Sequence, residues 1–244
     1  MHLQFVGCGD AFGSGGRLNT CFHVVGERAN FLIDCGASSL IGLARLGIAR
    51  RDIDTILVSH FHGDHFGGVP YFVLESHFGK RTRPLTLAGP PGIDSWYVRA
   101  LEAAFEHFST IKLNFDLRIV TLPERTATEL GALRVTPLPV VHGDSGGPFY
   151  GYRIEVEDRL IAFSGDTEWT DTLIEVARDA DLYITECYAY DKPIRNHLNY
   201  RTIEQNLPRL AARKIVLTHM SDDMLAQRHK VAQLTANDGM VVEL

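Results

Sequence analysis

The chain has 244 residues, 45% of them hydrophobic and 22% charged, with a net charge of −6. That length buries a sizeable core and suits one large domain spanning 1–244, and the composition is that of an ordinary soluble globular protein. The acidic balance argues against a broad nucleic-acid surface, which is normally basic, while leaving room for a local cationic site built on bound metal ions.

No apolar run reaches the length of a membrane span, so no membrane association is expected. The opening "MHLQFVGCGD" lacks the basic start and long apolar core of a signal peptide and reads as a first strand, which points to the cytoplasm. Cys8, Cys21, Cys35 and Cys187 form no C-x-x-C pair and no dense framework, so free and mostly buried thiols are expected.

In chain order, "HLQFVG" and "CFHVVG" read as strands, and "NFLIDCG" as a third that ends at Asp34. "ASSLIGLARLGI" has helical spacing, "IDTILVSH" is a short apolar strand, and "FGGVPYFVLESHF" a helix behind it. The strand "RPLTLAG" stops at "GPPG", and "IDSWYVRALEAAFEHF" places Val98, Leu101, Phe105 and Phe108 on one helical face. Strands follow near 115–121, 133–141, 149–156 and 159–164, then a helix over 171–178. A strand at 182–186, a helix at 202–212, a strand at 214–218 and a closing strand "GMVVEL" complete the chain. Two runs of strands, each with helices, predict an α/β fold: two stacked sheets covered by helices on both outer faces.

The chemistry concentrates in "SHFHGDHFGGV", which packs His60, His62, Asp64 and His65 into six positions. His60 and His62 differ by two, so in extended chain they point the same way and can share one metal. Asp64 and His65 follow the turn at Gly63 and can face a second. Three other apolar runs end the same way: "LPVVH" at His142, "IAFSGD" at Asp166 and "KIVLTH" at His219. A strand end gives a ligand a fixed position, and the loop beyond gives it access. Imidazoles with carboxylates suit Zn²⁺, with Mn²⁺ or Fe²⁺ as alternatives, and such a site lowers the pKa of a bound water to about 7. Two ions roughly 3.5–4 Å apart can share a carboxylate, and Asp166 is the natural bridge. His2, His23, His77, His107 and His229 have no comparable setting and are expected to be ordinary surface or core residues.

With these residues the chain resembles the metallo-β-lactamase superfamily, whose fold is a four-layer αββα sandwich of two mixed β-sheets with metals at one edge. His60, His62, Asp64, His65, His142, Asp166 and His219 match its ligand motifs in order, and the resemblance covers nearly the whole chain. It implies that Asp34 supports the site from behind. It also implies that His60, His62 and His142 hold one ion and Asp64, His65 and His219 the other, bridged by Asp166.

The superfamily hydrolyses β-lactams, lactones, thioesters and phosphodiesters, and includes di-iron oxidoreductases, so the fold alone assigns no reaction. His62 stands where the oxidoreductases typically carry glutamate. "ECYAYDKPIRNHLNY" supplies Glu186 and His197, which resemble the acidic residue and histidine of the ribonuclease Z and small-phosphodiesterase branch. "LAGPPGI" and "GDAFGSGGRLNT" are similar to that branch as well. One departure stands out: only 24 residues separate His142 from Asp166, leaving no room for the flexible arm with which ribonuclease Z grips tRNA. The scattered cysteines offer no structural zinc site of the kind expected in the phosphodiesterase that accompanies carbon–phosphorus lyase.

The expectation is therefore a hydrolase using two divalent ions on a small or short phosphodiester, with tRNA not a substrate and a homodimer expected only by analogy. Asp64, which is also a ligand, His197 and Glu186 are the catalytic candidates; His197, oriented by Glu186, assists the leaving oxygen. An alternative keeps the site but cleaves a lactone or thioester, with Tyr188, Tyr190 or Tyr200 stabilising an oxyanion. A di-iron redox protein or non-hydrolytic metal module is a third reading. Arg17, Asn19, Arg195 and Asn199 are candidate substrate contacts.

Overall fold

The computed structural model describes all residues, 1–244. The first six strands, β1 (His2–Gly7), β2 (Cys21–Val25), β3 (Asn30–Ile33), β4 (Thr55–Leu57), β5 (Leu85–Gly89) and β6 (Leu117–Thr121), lie side by side in sequence order. The next seven form a second sheet in sequence order: β7 (Thr128–Leu130), β8 (Leu133–Pro139), β9 (Tyr150–Val156), β10 (Arg159–Phe163), β11 (Leu182–Glu186), β12 (Ile215–Thr218) and β13 (Leu234–Thr235). A last strand, β14 (Val241–Glu243), returns to pair antiparallel with β1, making two mixed seven-stranded sheets.

Each sheet begins antiparallel and becomes parallel, from β3 onward in one and from β10 onward in the other. Parallel strands need covered faces, and their connections put helices there. α1 (Ser39–Arg45), α2 (Gly63–Phe66), α3 (Val69–Phe78) and α4 (Ile93–Ala104) cover the first sheet; α5 (Thr172–Ala177), α6 (Tyr200–Asn206) and α7 (Asp222–Gln227) cover the second. Between the sheets lies a core of 25 buried residues, among them Phe5, Phe22, Phe31, Tyr152, Ile154 and Phe163. Each such side chain contributes about 1.5–3 kcal/mol on burial. The four layers are the αββα sandwich expected from the strand pattern.

Several elements differ from expectation. The buried stripe of α4 is Ile93, Tyr97 and Leu101, while Val98 is exposed; the helix stops at Ala104, leaving Phe105 extended and Phe108 in a separate 3₁₀ turn. α6 starts early because the Asn199 side chain caps it, accepting from the Thr202 N–H at 2.9 Å. It ends early at Pro208, which has no N–H to continue the ladder and sits in a 3₁₀ turn. β8 ends at Pro139 rather than 141, which leaves His142 three residues past its strand, as far as His60 and Asp166 stand past theirs, with Val141 before it facing solvent. β7, β13 and α7 have no counterpart among the expected elements; β7 and β13 are two to three residues long, too short to show a period. All four cysteines are free and buried. No helix is long and apolar enough to cross a membrane.

Candidate metal centre

Parallel strands place their C-terminal ends at one edge of each sheet, and the loops leaving those ends meet across the sandwich. β4 leads to His60, β10 to Asp166, β11 ends in Glu186 itself and β12 leads to His219. Asp34 follows β3, and both Asp34 (φ 59°) and His219 (φ 56°) hold the left-handed backbone conformation. Non-glycine residues adopt it at a cost of order 1–3 kcal/mol, which clusters where function requires it.

The seven expected ligands fall into two groups. In the first, His62 Nδ1 lies 3.1 Å from His60 Nε2 and 3.2 Å from His142 Nε2. In the second, Asp166 Oδ2 lies 3.2 Å from both His65 Nε2 and His219 Nε2, and Asp64 Oδ2 lies 3.4 Å from His65 Nε2. Ligand atoms about 2.0–2.1 Å from a tetrahedral ion stand about 3.3 Å apart, so both groups are spaced as donor sets. Asp166 Oδ2 is also 3.7 Å from His142 Nε2, which makes it the atom shared between them.

The ring nitrogen that faces away from each group has its own partner. His60 Nδ1 meets Ser59 Oγ at 3.1 Å, His142 Nδ1 donates to the Asn196 carbonyl at 2.8 Å, and His62 Nε2 donates to the Ser145 carbonyl at 3.0 Å. His65 Nδ1 lies 2.6 Å from Asp34 Oδ2, and His219 Nδ1 is 3.5 Å from Thr20 Oγ1. Such partners select the tautomer that presents the other nitrogen as a lone pair. Asp34 is fully buried and also accepts from Ser59 N–H and Oγ–H, so one carboxylate orients the residues on both sides of His60.

The electrostatics fit a cation. Burial lowers the basicity of His60 and His142, so both are neutral, the form that binds metal. Burial would raise the Asp166 carboxyl, but His219 and His65 outweigh it and hold it well below the usual range. His65 is pushed the other way: burial opposes its charge, yet Asp166, Asp64 and Asp34 raise it well above the ordinary imidazole value. Three buried carboxylates thus demand positive charge. His65 Nε2 and Asp166 Oδ1 are buried without a hydrogen-bond partner, a costly state for polar atoms unless an ion is their partner. The residues fit divalent metal ions.

Beside both groups stands His197. Its Nδ1 lies 3.1 and 3.2 Å from the two oxygens of Glu186, which is fully buried and also accepts from the Thr167 and Leu198 N–H groups. Burial disfavours the imidazolium, but the Glu186 carboxylate outweighs it and pushes the His197 pKa up to about 9. The ring stacks on Tyr188 at 4.6 Å between centroids. A cleft of about 250 Å³ opens here, lined by His62, Asp64, His142, Asp166, His197 and His219, with Phe12, Tyr188 and Arg195 at its walls. Larger clefts of about 430 and 450 Å³ lie elsewhere and include none of these groups.

The other candidates separate cleanly. Asn19 bonds Ser38 and the Asp10 carbonyl, Asn199 caps α6, and Arg17 is tied to the Ala236 carbonyl and Asn237; only Arg195 lines the cleft. Tyr190 and Tyr200 stack on each other in the core, leaving Tyr188 as the one tyrosine of the three at the site. His2, His23, His77, His107 and His229 belong to neither ligand group. Sequence reasoning passed over Ser59, Ser145, Gly146 and Phe149, whose ring packs 5.1–5.8 Å from His142, His60 and His62. Ser59 was visible inside "SHFHGDH"; the others act through backbone atoms or plain bulk, which residue type does not signal.

A two-sheet sandwich with this His/Asp constellation at one edge defines a metal-dependent hydrolase of the metallo-β-lactamase superfamily, similar to ribonuclease Z. Residues 1–238 match the family model described as Anti-Pycsar protein Apyc1, and the chain belongs to that family. It is 25% identical to ribonuclease Z of Methanothermobacter thermautotrophicus, an alignment covering 100% of this chain and 97% of that one. The human tRNase Z short form superposes with a TM-score of 0.79 at 23% identity, covering 100% and 99% of the two chains. A diphosphatase of the PhnP family gives 0.75 at 22% identity, covering 100% and 97%.

Proposed function

We propose that the chain is a two-metal phosphodiesterase that acts on a small or short phosphodiester rather than on tRNA. His60, His62 and His142 hold one ion, Asp64, His65 and His219 the other, and Asp166 joins the two sets. The imidazole-rich donors favour Zn²⁺, with Mn²⁺ or Fe²⁺ as alternatives. Bound divalent ions would supply the positive charge that draws in a phosphate anion and the Lewis acidity that makes water nucleophilic at neutral pH.

The observation that carries the reading is His197. Its imidazole is backed by a buried carboxylate and lies against the ligand cluster, with ring centroids 4.7 Å from His142 and 5.6 Å from His219. With Nδ1 engaged by Glu186, the Nε2 proton is available to the oxygen that departs from phosphorus. Arg195, exposed on the cleft wall 3.6 Å from Asp144, offers a guanidinium that can exchange that surface carboxylate for an entering anionic substrate. The exclusion of tRNA is supported by the short His142–Asp166 connection, which holds a strand, a turn and a strand. The alignment with the archaeal ribonuclease Z runs over 302 positions, so that relative carries segments which this chain of 244 residues lacks. The four free, buried cysteines support a cytoplasmic setting.

The test is His197→Ala, assayed with Zn²⁺ and Mn²⁺ against cyclic and linear phosphodiesters. Metal content stays at the wild-type level, while turnover of esters with poor leaving groups falls by about 10²–10⁴-fold, the usual contribution of a general acid. Loss of metal in that variant would make His197 a ligand or a structural residue instead. The lactone or thioester reading has one observation in its favour, the placement of Tyr188 on the cleft wall.

A further inference from the structure

Among the seven ligand candidates, His62 is the one that is only partly buried. It is also the one held chiefly by a surface loop, residues 143–148. The loop grips residues 61–62 at three points. The Ser145 carbonyl accepts from His62 Nε2 at 3.0 Å, and the Gly146 carbonyl accepts from the Phe61 N–H at 2.8 Å. Gly146 itself lies against the imidazole: a Cβ there would stand 2.5 Å from His62 Cδ2 and 2.6 Å from Nε2, at a φ of +87° that already disfavours a side chain. A carbonyl oxygen only accepts, so the Ser145 contact places the proton on Nε2 and turns the Nδ1 lone pair toward His60 and His142. The carboxylate-rich group has no such dependence; His65 is braced by Asp34 inside the core.

Resting on the two-metal reading above, we propose that the 143–148 loop is the latch of the three-imidazole site. Ser145 and Gly146 position His62 in ring angle and tautomer, so this site fills and empties with the loop while the carboxylate-rich site stays loaded. Gly146 is the residue that makes the grip possible, because no other side chain leaves room for the ring.

The experiment compares metal content per chain for the wild type, Gly146→Ala and Gly131→Ala after dialysis against a zinc buffer. Gly131 also has positive φ (+63°), but a methyl group there would have nothing within 4 Å, so it reports backbone strain without a clash. The wild type and Gly131→Ala hold two ions, and Gly146→Ala holds one, with affinity at the other site weakened about 10–100-fold, as for loss of an outer-shell partner. Two ions at wild-type affinity in Gly146→Ala overturn the latch, and so does loss of both. A loss in Gly131→Ala as well would trace the effect to strain and also overturn it. A wild type that binds a single ion overturns the two-metal reading and the latch together. Hydrogen exchange on the unaltered protein is the second measurement: amides of 143–147 slow with the second zinc equivalent and not with the first. No change at the second equivalent contradicts the latch whether or not the variant folds.

Discussion

The two halves of the candidate metal centre are built differently. Asp64, His65, Asp166 and His219 are all buried, and a fully buried carboxylate, Asp34, stands behind His65. His60, His62 and His142 take their outer partners from Ser59 and from two loop carbonyls, Ser145 and Asn196, and His62 reaches solvent. One half is anchored by the core; in the other only His60 is, through Ser59, while His62 and His142 lean on loop carbonyls. A buried charged cluster holds its geometry because every alternative leaves a charge unpaired, whereas imidazoles held by loop carbonyls can relax without that penalty. The comparison predicts a tight site and an exchangeable one within a single centre.

Breaking the shared atom has the largest effect. Asp166→Ala is expected to empty both halves and lower activity by roughly 10³-fold or more, the size of several kcal/mol of lost transition-state stabilisation. Metal analysis and turnover with added Zn²⁺ check it; a variant that keeps two ions would show that Asp166 does not join the halves. Asp34→Asn sharpens the contrast, because it touches His65 directly and reaches the imidazole half only through Ser59 behind His60. Affinity should fall about 10–100-fold in the carboxylate half and by less in the other, read by competition with a chromophoric chelator.

Stripping both ions with a chelator removes two ligands that bind the folded state. At 100 times Kd each is worth about 2.7 kcal/mol, so Tm should drop by roughly 10–20 °C. An unchanged melting curve would place the ions outside the folded core. The smallest effect is a shift in pH dependence. Glu186 stabilises the protonated form of His197, so Glu186→Gln lowers the His197 pKa and moves the alkaline limb of the kcat profile to lower pH. A limb that stays in place would remove His197 from the proton transfer.

Much of this was legible in the sequence, and the limits were physical. The candidate ligands stood out because they are scarce residue types at the ends of apolar runs, and His60, His142, Asp166 and His219 all lie within three residues of a strand end. The fold places Asp34 beside His65, and Glu186 beside His197 at the cleft. The α4 stripe was misread because Val98 is apolar yet sits off the 93–97–101 face, and apolarity alone does not say which face packs. α6 was misplaced at both ends by an asparagine cap and a proline, both of which were present in "NHLNYRTIEQNLPRL" to be read. The latch was out of reach for a different reason: a carbonyl and the absence of a side chain at Gly146 have no signature until the chain is folded.

The most direct test of the central claim is turnover by the zinc-loaded protein of bis-p-nitrophenyl phosphate, a lactone and a thioester, measured side by side. The account predicts the highest kcat/KM on the phosphodiester, with that activity lost on chelation and restored by Zn²⁺ or Mn²⁺. Preference for the lactone or the thioester would contradict it and transfer the site to carbon-ester hydrolysis.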